Sequence, residues 1–199
     1  LFFCMIAAHT WRSPLSLPAA LPVSCGTASD QLTRLDVRPG QALFIPGGLV
    51  HAIGAGCLIY EVQQNANTTY LLFDWNRTGA AGQPRALHVG ESFKTIDWTL
   101  RPPRMRPPEP LGRSGANVWS SLVACPYFTL RQLALNAPQR VPVSGASFHA
   151  LFVREGRATV TAGGETAALA AGGSCLIPAA SPGYTLVPDP SASVLLTTL

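Results

Sequence analysis

The sequence predicts an all-β protein built from many short strands. Glycine and proline each occur 18 times among the 199 residues, above their usual shares of roughly 7% and 5%. Runs rich in valine, threonine and phenylalanine lie between these turn-forming residues. A chain that alternates frequent turns with β-branched and aromatic runs is typical of sandwiches and small barrels. An internal repeat, described below, also favours two similar β-rich blocks.

The first readable block begins near Leu35 and contains regularly spaced turns. Turns are predicted at Pro39-Gly40, at Pro46-Gly47-Gly48 and at Gly54-Ala55-Gly56. Short strands are predicted between and after them, over 35–37, 42–45, 49–53, 57–63 and 68–75. Residues 1–33 show neither clean alternation nor an uninterrupted helical pattern, since prolines recur at 14, 18 and 22.

A short helix and a proline-rich segment follow this block. Val89, Phe93 and Ile96 are spaced four and three apart, which predicts an amphipathic helix that ends near Trp98. The run 101–110 (RPPRMRPPEP) excludes helix and central strand, and it is predicted to be a semi-rigid linker at a domain boundary.

The second block runs from about Val118 to the end of the chain. Strands are predicted over 148–153, 157–162, 165–170 and 175–177, with turns at Glu155-Gly156, Gly163-Gly164 and Gly172-Gly173. The segments 40–46 and 172–178 both place a glycine six residues before a proline, with Leu-Ile directly before that proline in the second and Phe-Ile in the first. This repeat predicts that the two blocks are copies of one fold.

The repeat also reveals an asymmetry. The fifth residue after the proline is His51 in the first block and Gly183 in the second. Only the first block therefore has an imidazole at this position.

Composition excludes several function classes. Hydrophobic residues make up 47% and charged residues 12% of the chain, which excludes general disorder. No apolar run approaches the ~18 residues of a membrane-spanning helix, so no membrane association is expected. The net charge is +4, and the positive residues are spread along the chain. Nucleic-acid binders usually concentrate such residues on one face and interleave them with aromatic residues, so this distribution argues against nucleic-acid binding.

The cysteines indicate the compartment. Five cysteines lie far apart without a Cys-x-x-Cys pair, and they are expected to be buried, reduced residues of a cytoplasmic protein. The apolar start of the chain lacks the basic region of a signal peptide. Because such a protein is not secreted, the Asn-x-Thr sequons at Asn67 and Asn76 are not expected to be glycosylated.

Several segments carry motifs of a known family. Gly40, Pro46, Gly48 and His51 match the spacing of the second cupin motif, although Ala55 replaces its usual asparagine. Further motifs in the first block are 43–54 (LFIPGGLVHAIG), 59–65 (IYEVQQN), 68–70 (TTY), 73–77 (FDWNR) and 84–89 (PRALHV), and those in the second block are 125–128 (CPYF) and 148–152 (FHALF). With these motifs the chain resembles type I mannose-6-phosphate isomerases of the cupin superfamily.

This resemblance implies a tandem cupin, a double-stranded β-helix of jelly-roll type, whose first barrel is incomplete and is followed by one short helix. Residues 1–99 would be the C-terminal part of the metal-binding cupin, with 1–33 unmatched. Residues 100–117 would be the linker, and 118–199 the second, metal-free cupin.

The activity implied is the isomerisation of mannose 6-phosphate and fructose 6-phosphate with one zinc ion. His51 matches a zinc ligand on a strand that faces inward, with a polar-interior histidine as the alternative. Glu61 matches an active-site glutamate that could move the proton between C1 and C2, or it pairs with an arginine. Arg77 matches a commonly basic position that could face the substrate, or it is a surface arginine. His88 is expected to cap or pack beside the helix start.

Two departures from the family pattern argue against activity of the chain alone. Leu71 stands where the family has an arginine, and Asn67 replaces an acidic residue. A catalytic zinc needs about three protein ligands, and the resemblance implies that the others are a Gln-x-His pair and a glutamate upstream of His51. Residues 1–50, however, contain no glutamate and only His9 among histidines. We therefore expect that this chain alone does not bind zinc, and that it is either a fragment of an isomerase or a degenerate relative.

The alternative function is a non-catalytic cupin that binds a sugar or a protein partner, and a functionless remnant is a third. The small-molecule ligand is a sugar phosphate if the protein is an isomerase, and a sugar if it is a non-catalytic cupin. Oligomeric state is not predicted.

Overall fold

The structure, a computed structural model, describes residues 10–11, 32–64, 68–75, 77–79 and 82–199. The expectations for His9, Cys4, Cys25, Asn67 and Asn76 lie outside these residues. The described chain divides into two compact units. The C-terminal unit comprises Pro39–Ala42 and Arg106–Leu199, and the N-terminal unit comprises the described residues among 4–38 and 43–105.

The C-terminal unit is an eight-stranded antiparallel sheet. Its strands are β3 (Glu109–Ser114), β4 (Asn117–Ala124), β5 (Thr129–Leu135), β6 (Gln139–Pro142), β7 (His149–Ala162), β8 (Glu165–Ala170), β9 (Ser174–Ile177) and β10 (Gly183–Thr198). The main path is β3-β4-β5-β10-β7-β8, with β6 paired to β10 and β9 paired to β7. The two longest strands, β7 and β10, therefore pair with every other strand of this sheet except β3 and β4.

Hydrophobic alternation explains why one face of these strands is buried. Leu151 and Val153 in β7 pair with Leu196 and Val194 in β10, and all four are at most 4% exposed. The same core contains residues of β5, β6, β9 and both ends of the long strands: Leu133, Leu135, Val141, Ala158, Val160, Ile177, Tyr184, Leu186 and Ala192. Alternate residues of a strand point to one face, so this pattern forms the core of the unit.

One predicted turn is absent. The segments 148–153 and 157–162 belong to the single strand β7, and the register of β7 on β10 shifts at its middle instead. Gly156 has a φ of +74°, and a Cβ atom there would clash with the Ser191 carbonyl oxygen. A glycine at such a position indicates a bulge, in which pairing continues although the strand bends.

The other predicted strands of the second block are confirmed, and so is the turn at 163–164. The turn predicted at Gly172-Gly173 is found one residue earlier, at 171–172. The fold class is accordingly all-β. The end of the predicted linker is a strand, since β3 begins at Glu109. Pro110 is tolerated within it because β3 lies at the edge of the sheet, where a residue without a backbone N–H need not bond to strands on both sides. The boundary between the two units falls between Met105 and Arg106, whereas the assignment of each domain as a cupin copy stays a prediction.

The N-terminal unit contains little regular structure among its described residues. It has two short paired strands, β1 (Thr10–Trp11) and β2 (Leu32–Thr33), and one helix, α1 (Val89–Thr95). The predicted helix is confirmed, although it ends at Thr95 rather than near Trp98. Val89 and Phe93 within the helix, and Ile96 directly after it, are half-buried.

The strands predicted over 35–75 are wrong for the described residues, although the three turns between them are present. Isolated bridges join Ala42 to Arg106 and Thr78 to Pro84. β-propensity reflects packing against neighbouring strands, so apolar segments without a continuous neighbour remain extended without forming a ladder.

A close contact holds the second turn against the end of α1. The Asp97 amide donates a hydrogen bond of 3.0 Å to the Gly48 carbonyl. Gly48 has a φ of +84°, and a Cβ atom would lie 3.1 Å from the Asp97 backbone nitrogen. Glycine is therefore needed at this turn, directly before the segment that contains His51.

We expect Gly156→Ala to destabilise the C-terminal unit more than Gly164→Ala. Both glycines have positive φ, but nothing lies within 4 Å of a Cβ at Gly164, so the control measures backbone strain alone. The clash with Ser191 should add about 1–3 kcal/mol to the loss. Urea unfolding of the two variants measures the difference, and equal losses would contradict the bulge.

Candidate functional site

His51 is an exposed residue of an extended segment, not of a strand. Its Nδ1 atom lies 2.9 Å from the Leu49 carbonyl oxygen, so the ring is held by its own segment. The expected inward-facing strand is therefore not formed at this position, because the segment has no ladder partner among the described residues. The role of His51 as a metal ligand stays a prediction.

The described residues do not supply a zinc centre. Nowhere among them do three or more His, Cys, Asp or Glu side chains converge in a way that could hold a metal ion. A catalytic zinc requires about three protein ligands of these types. The donor set in the described part of the chain therefore does not fit the zinc that the family resemblance implies.

Glu61 is also exposed and lies outside any strand. Among the described residues no ion pair with an arginine involves it. The alternative of a strand carboxylate paired with an arginine is thus not found in that part of the chain. Its role as a proton shuttle stays a prediction.

Arg77 is held by a local turn. Its amide donates to the Asp74 carbonyl at 3.0 Å, and its guanidinium Nε donates to Asp74 Oδ1 at 3.1 Å, with Nη2 contacting the same oxygen. The Arg77 guanidinium carbon also lies 5.6 Å from the ring centroid of Trp75, within the range of a cation–π interaction. Arg77 is therefore a positioned cation, although 64% of its side chain is exposed.

Asp74 is the buried centre of this arrangement. Its side chain is 7% exposed, and Arg85 Nη1 lies 3.9 Å from its second oxygen, Oδ2. Asp74 and Arg85 lie in segments that resemble the family, but the sequence predicted no role for either residue. The signal that could have found Asp74 is the acid three residues before Arg77, whereas only folding brings Arg85 to the same carboxylate.

His88 packs beside the start of α1, as expected. It is the residue before the first helical position, and its backbone amide donates to the Leu71 carbonyl at 2.8 Å. The Leu71 amide donates in turn to His88 Nδ1 at 3.1 Å, and the Tyr70 ring lies 6.0 Å away, centroid to centroid. These bonds fix the segment with Leu71 to the helix and give His88 a structural role.

The C-terminal unit contains a buried polar pair that sequence reasoning missed. His149 Nδ1 and the Tyr184 hydroxyl are 3.2 Å apart, and the residues are 8% and 2% exposed. Burial lowers the pKa of His149, and the positive charge of Arg131 lowers that pKa further. Burial likewise raises the pKa values of Tyr184 and Cys175. The pair is therefore a neutral polar contact within the core.

The three described cysteines, Cys57, Cys125 and Cys175, are free thiols and are half-buried rather than buried. No helix in the described part of the chain has the length and apolar character needed to cross a membrane.

Comparison with known proteins identifies the family. The model of the mannose-6-phosphate isomerase cupin domain matches residues 119–189, which run from β4 into β10. The mannose-6-phosphate isomerase of Streptococcus mutans is 30% identical over 156 residues, covering 78% of this chain and 48% of the relative. The chain belongs to the type I mannose-6-phosphate isomerase family of cupins.

One further sequence match agrees with this family, and one structural match agrees with the fold. Mannose-6-phosphate isomerase ManA of Bacillus subtilis is 43% identical over 79 residues, or 40% of this chain and 25% of that protein. The crystal structure of the mannose 6-phosphate isomerase from Bacillus subtilis superposes with a TM-score of 0.81 at 24% identity, covering all of this chain and 63% of that one. At this identity the structural match supports the fold alone. The chain spans between a quarter and about half of the length of the two curated relatives.

We expect Asp74→Asn to lower the free energy of unfolding of the N-terminal unit by about 1–3 kcal/mol, because two arginines lose their buried counter-charge. Asp36→Asn is the matched control. Asp36 pairs with Arg34 at 3.4 Å, but its side chain is 92% exposed, so its loss should stay below about 0.5 kcal/mol. Urea unfolding followed by tryptophan fluorescence compares them, and similar values would show that Asp74 does not anchor the arginines.

Stability of the C-terminal unit should fall as the pH drops below about 6.5. The folded-state pKa of His149 lies below its ordinary value of 6.5, so between these two values the unfolded chain binds more protons than the folded one. The resulting destabilisation begins at the unfolded pKa and is complete at the folded pKa. His149→Gln should reduce this slope in urea unfolding, whereas the exposed control His51→Gln should retain it. A slope that is unchanged in His149→Gln would exclude this assignment.

Proposed function

We propose that the protein takes part in the isomerisation of mannose 6-phosphate and fructose 6-phosphate. Within this function, residues 1–199 bind the sugar phosphate but depend on metal ligands beyond His51 for turnover. The observation that carries the proposal is family membership, with a relative matched across 156 residues that include both units. An isomerase of this kind must bind the phosphate and move a proton between adjacent carbons.

The residues of this chain have distinct parts in that function. Arg77, which Asp74 holds in place, supplies a positive charge toward the ligand. Glu61 is exposed and is the candidate to take the C2 proton and return it at C1. Leu71 provides neither a donor nor a charge where the family has an arginine, which is a reason to expect weak catalysis. Loss of one such donor typically costs about 10²–10³ in rate.

A non-catalytic cupin that binds a sugar phosphate is the second candidate. Two observations favour it, namely Leu71 and the absence of a cluster of metal-ligating side chains among the described residues. Both candidates bind the sugar phosphate, but only the isomerase moves a proton between C2 and C1.

Proton exchange in heavy water tests the difference. We expect the purified 199-residue chain to bind mannose 6-phosphate with a Kd in the millimolar range, yet to exchange its C2 proton only slowly after zinc is added. NMR follows both quantities. Glu61→Gln should abolish any exchange, whereas Glu91→Gln, an exposed helix residue, should leave exchange unchanged. Failure to bind mannose 6-phosphate would overturn the proposal.

The reading frame before the codon for Leu1 gives an independent test of the two candidates. A Gln-x-His pair and a glutamate encoded there would complete the ligand set and support the isomerase. An upstream coding segment without these residues would favour the non-catalytic cupin.

A further inference from the structure

Arg77 and Arg85 face each other across a tight reversal of the chain. The bridge between Thr78 and Pro84 is antiparallel, so the residues just outside it, Arg77 and Arg85, lie opposite one another. The Gly79 amide donates to the Gln83 carbonyl at 2.8 Å and closes the reversal. Two like charges at opposite positions of an antiparallel pair repel and destabilise it.

Asp74 compensates only part of this repulsion. Its two carboxylate oxygens face one arginine each, Oδ1 toward Arg77 and Oδ2 toward Arg85. Two guanidinium groups and one carboxylate leave a net charge of +1 at this position. The two arginine side chains are 64% and 63% exposed, so most of their five donors each remain open to solvent.

Trp75 completes this group with an exposed aromatic surface. It is 45% exposed and lies beneath the Arg77 guanidinium. Its φ of +50° is the one positive value at a residue other than glycine in the described part of the chain. Such a conformation is unusual for a bulky residue and costs of the order of 1–3 kcal/mol. The turn thus keeps the tryptophan beside the arginines at an energetic cost.

From these contacts we infer that Asp74, Trp75, Arg77 and Arg85 form a binding site for the phosphate monoester of a sugar. The open donors of the two guanidinium groups bind the phosphate oxygens, for which forked donors are well suited. The ring of Trp75 contacts the apolar face of the sugar. Asp74 is a positioning residue, because its two carboxylate oxygens hold the two arginines. This inference rests on the proposed function for the choice of sugar phosphate, but not for the anion site itself.

Inorganic phosphate is the first probe. In NMR titrations of the full 199-residue chain, we expect saturable shifts of the Arg77 and Arg85 Nε–H signals and of the Trp75 indole signal. Arg85→Gln should weaken phosphate binding about tenfold, and Arg85→Lys, which keeps the charge but loses the fork, should have an intermediate effect. Arg101→Gln is the matched control, because Arg101 is exposed in the same unit and lies outside the group. Equal affinities of Arg85→Gln and Arg101→Gln would overturn the site.

Mannose 6-phosphate and mannose are the second probes. We expect mannose to bind at least tenfold more weakly than mannose 6-phosphate. Trp75→Leu should reduce the affinity for mannose 6-phosphate more than the affinity for inorganic phosphate. Equal reductions would show that Trp75 acts only through Arg77 and would refute its contact with the sugar.

The results also separate this site from the proposed function. Arg85-dependent binding of inorganic phosphate without binding of mannose 6-phosphate would support the anion site and contradict the proposed function. Binding of mannose 6-phosphate that does not depend on Arg85 would do the reverse.

Discussion

The pairing of β7 with β10 is the constraint on which the C-terminal unit depends. These two strands provide the sites at which β5, β6, β8 and β9 join the sheet, and their facing apolar residues form much of its core. The pairing persists through a change of register because Gly156 permits a backbone conformation that a side chain would obstruct. Because the bulge shifts the alternation of buried and exposed residues, a long strand can bury apolar residues on both sides of it.

The residues proposed to act on a ligand belong to segments of the other unit that have no such ladder. Short-range contacts hold them instead. Asp74 fixes Arg77 and Arg85, and reciprocal bonds between Leu71 and His88 attach the preceding segment to α1. Segments with few ladder bonds open more readily than core strands, and binding residues are commonly found on loops. The carboxylate of Asp74 is therefore the main determinant of where the two positive charges lie.

Sequence alone predicted the all-β class, all but one of the turns and the helix, because glycine, proline and apolar spacing act locally. It did not predict that β7 continues through Gly156, since a glycine after a charged residue has the same local signature in a turn and in a bulge. The expected strand around His51 failed for a related reason, because strand formation depends on a partner that local sequence does not specify. Within the candidate site, Arg77 was singled out by resemblance, whereas its connection to Arg85 arises from the reversal between Thr78 and Pro84.

Native-state hydrogen exchange tests most directly whether the β7–β10 pairing is the stable centre of the molecule. The paired amides of β7 and β10, including those near Val153 and Val194, should exchange only through global unfolding of their unit. Amides of the ladder-free segment 49–63 should exchange faster, through local opening. Protection in β7 and β10 as weak as that in 49–63 would contradict the account.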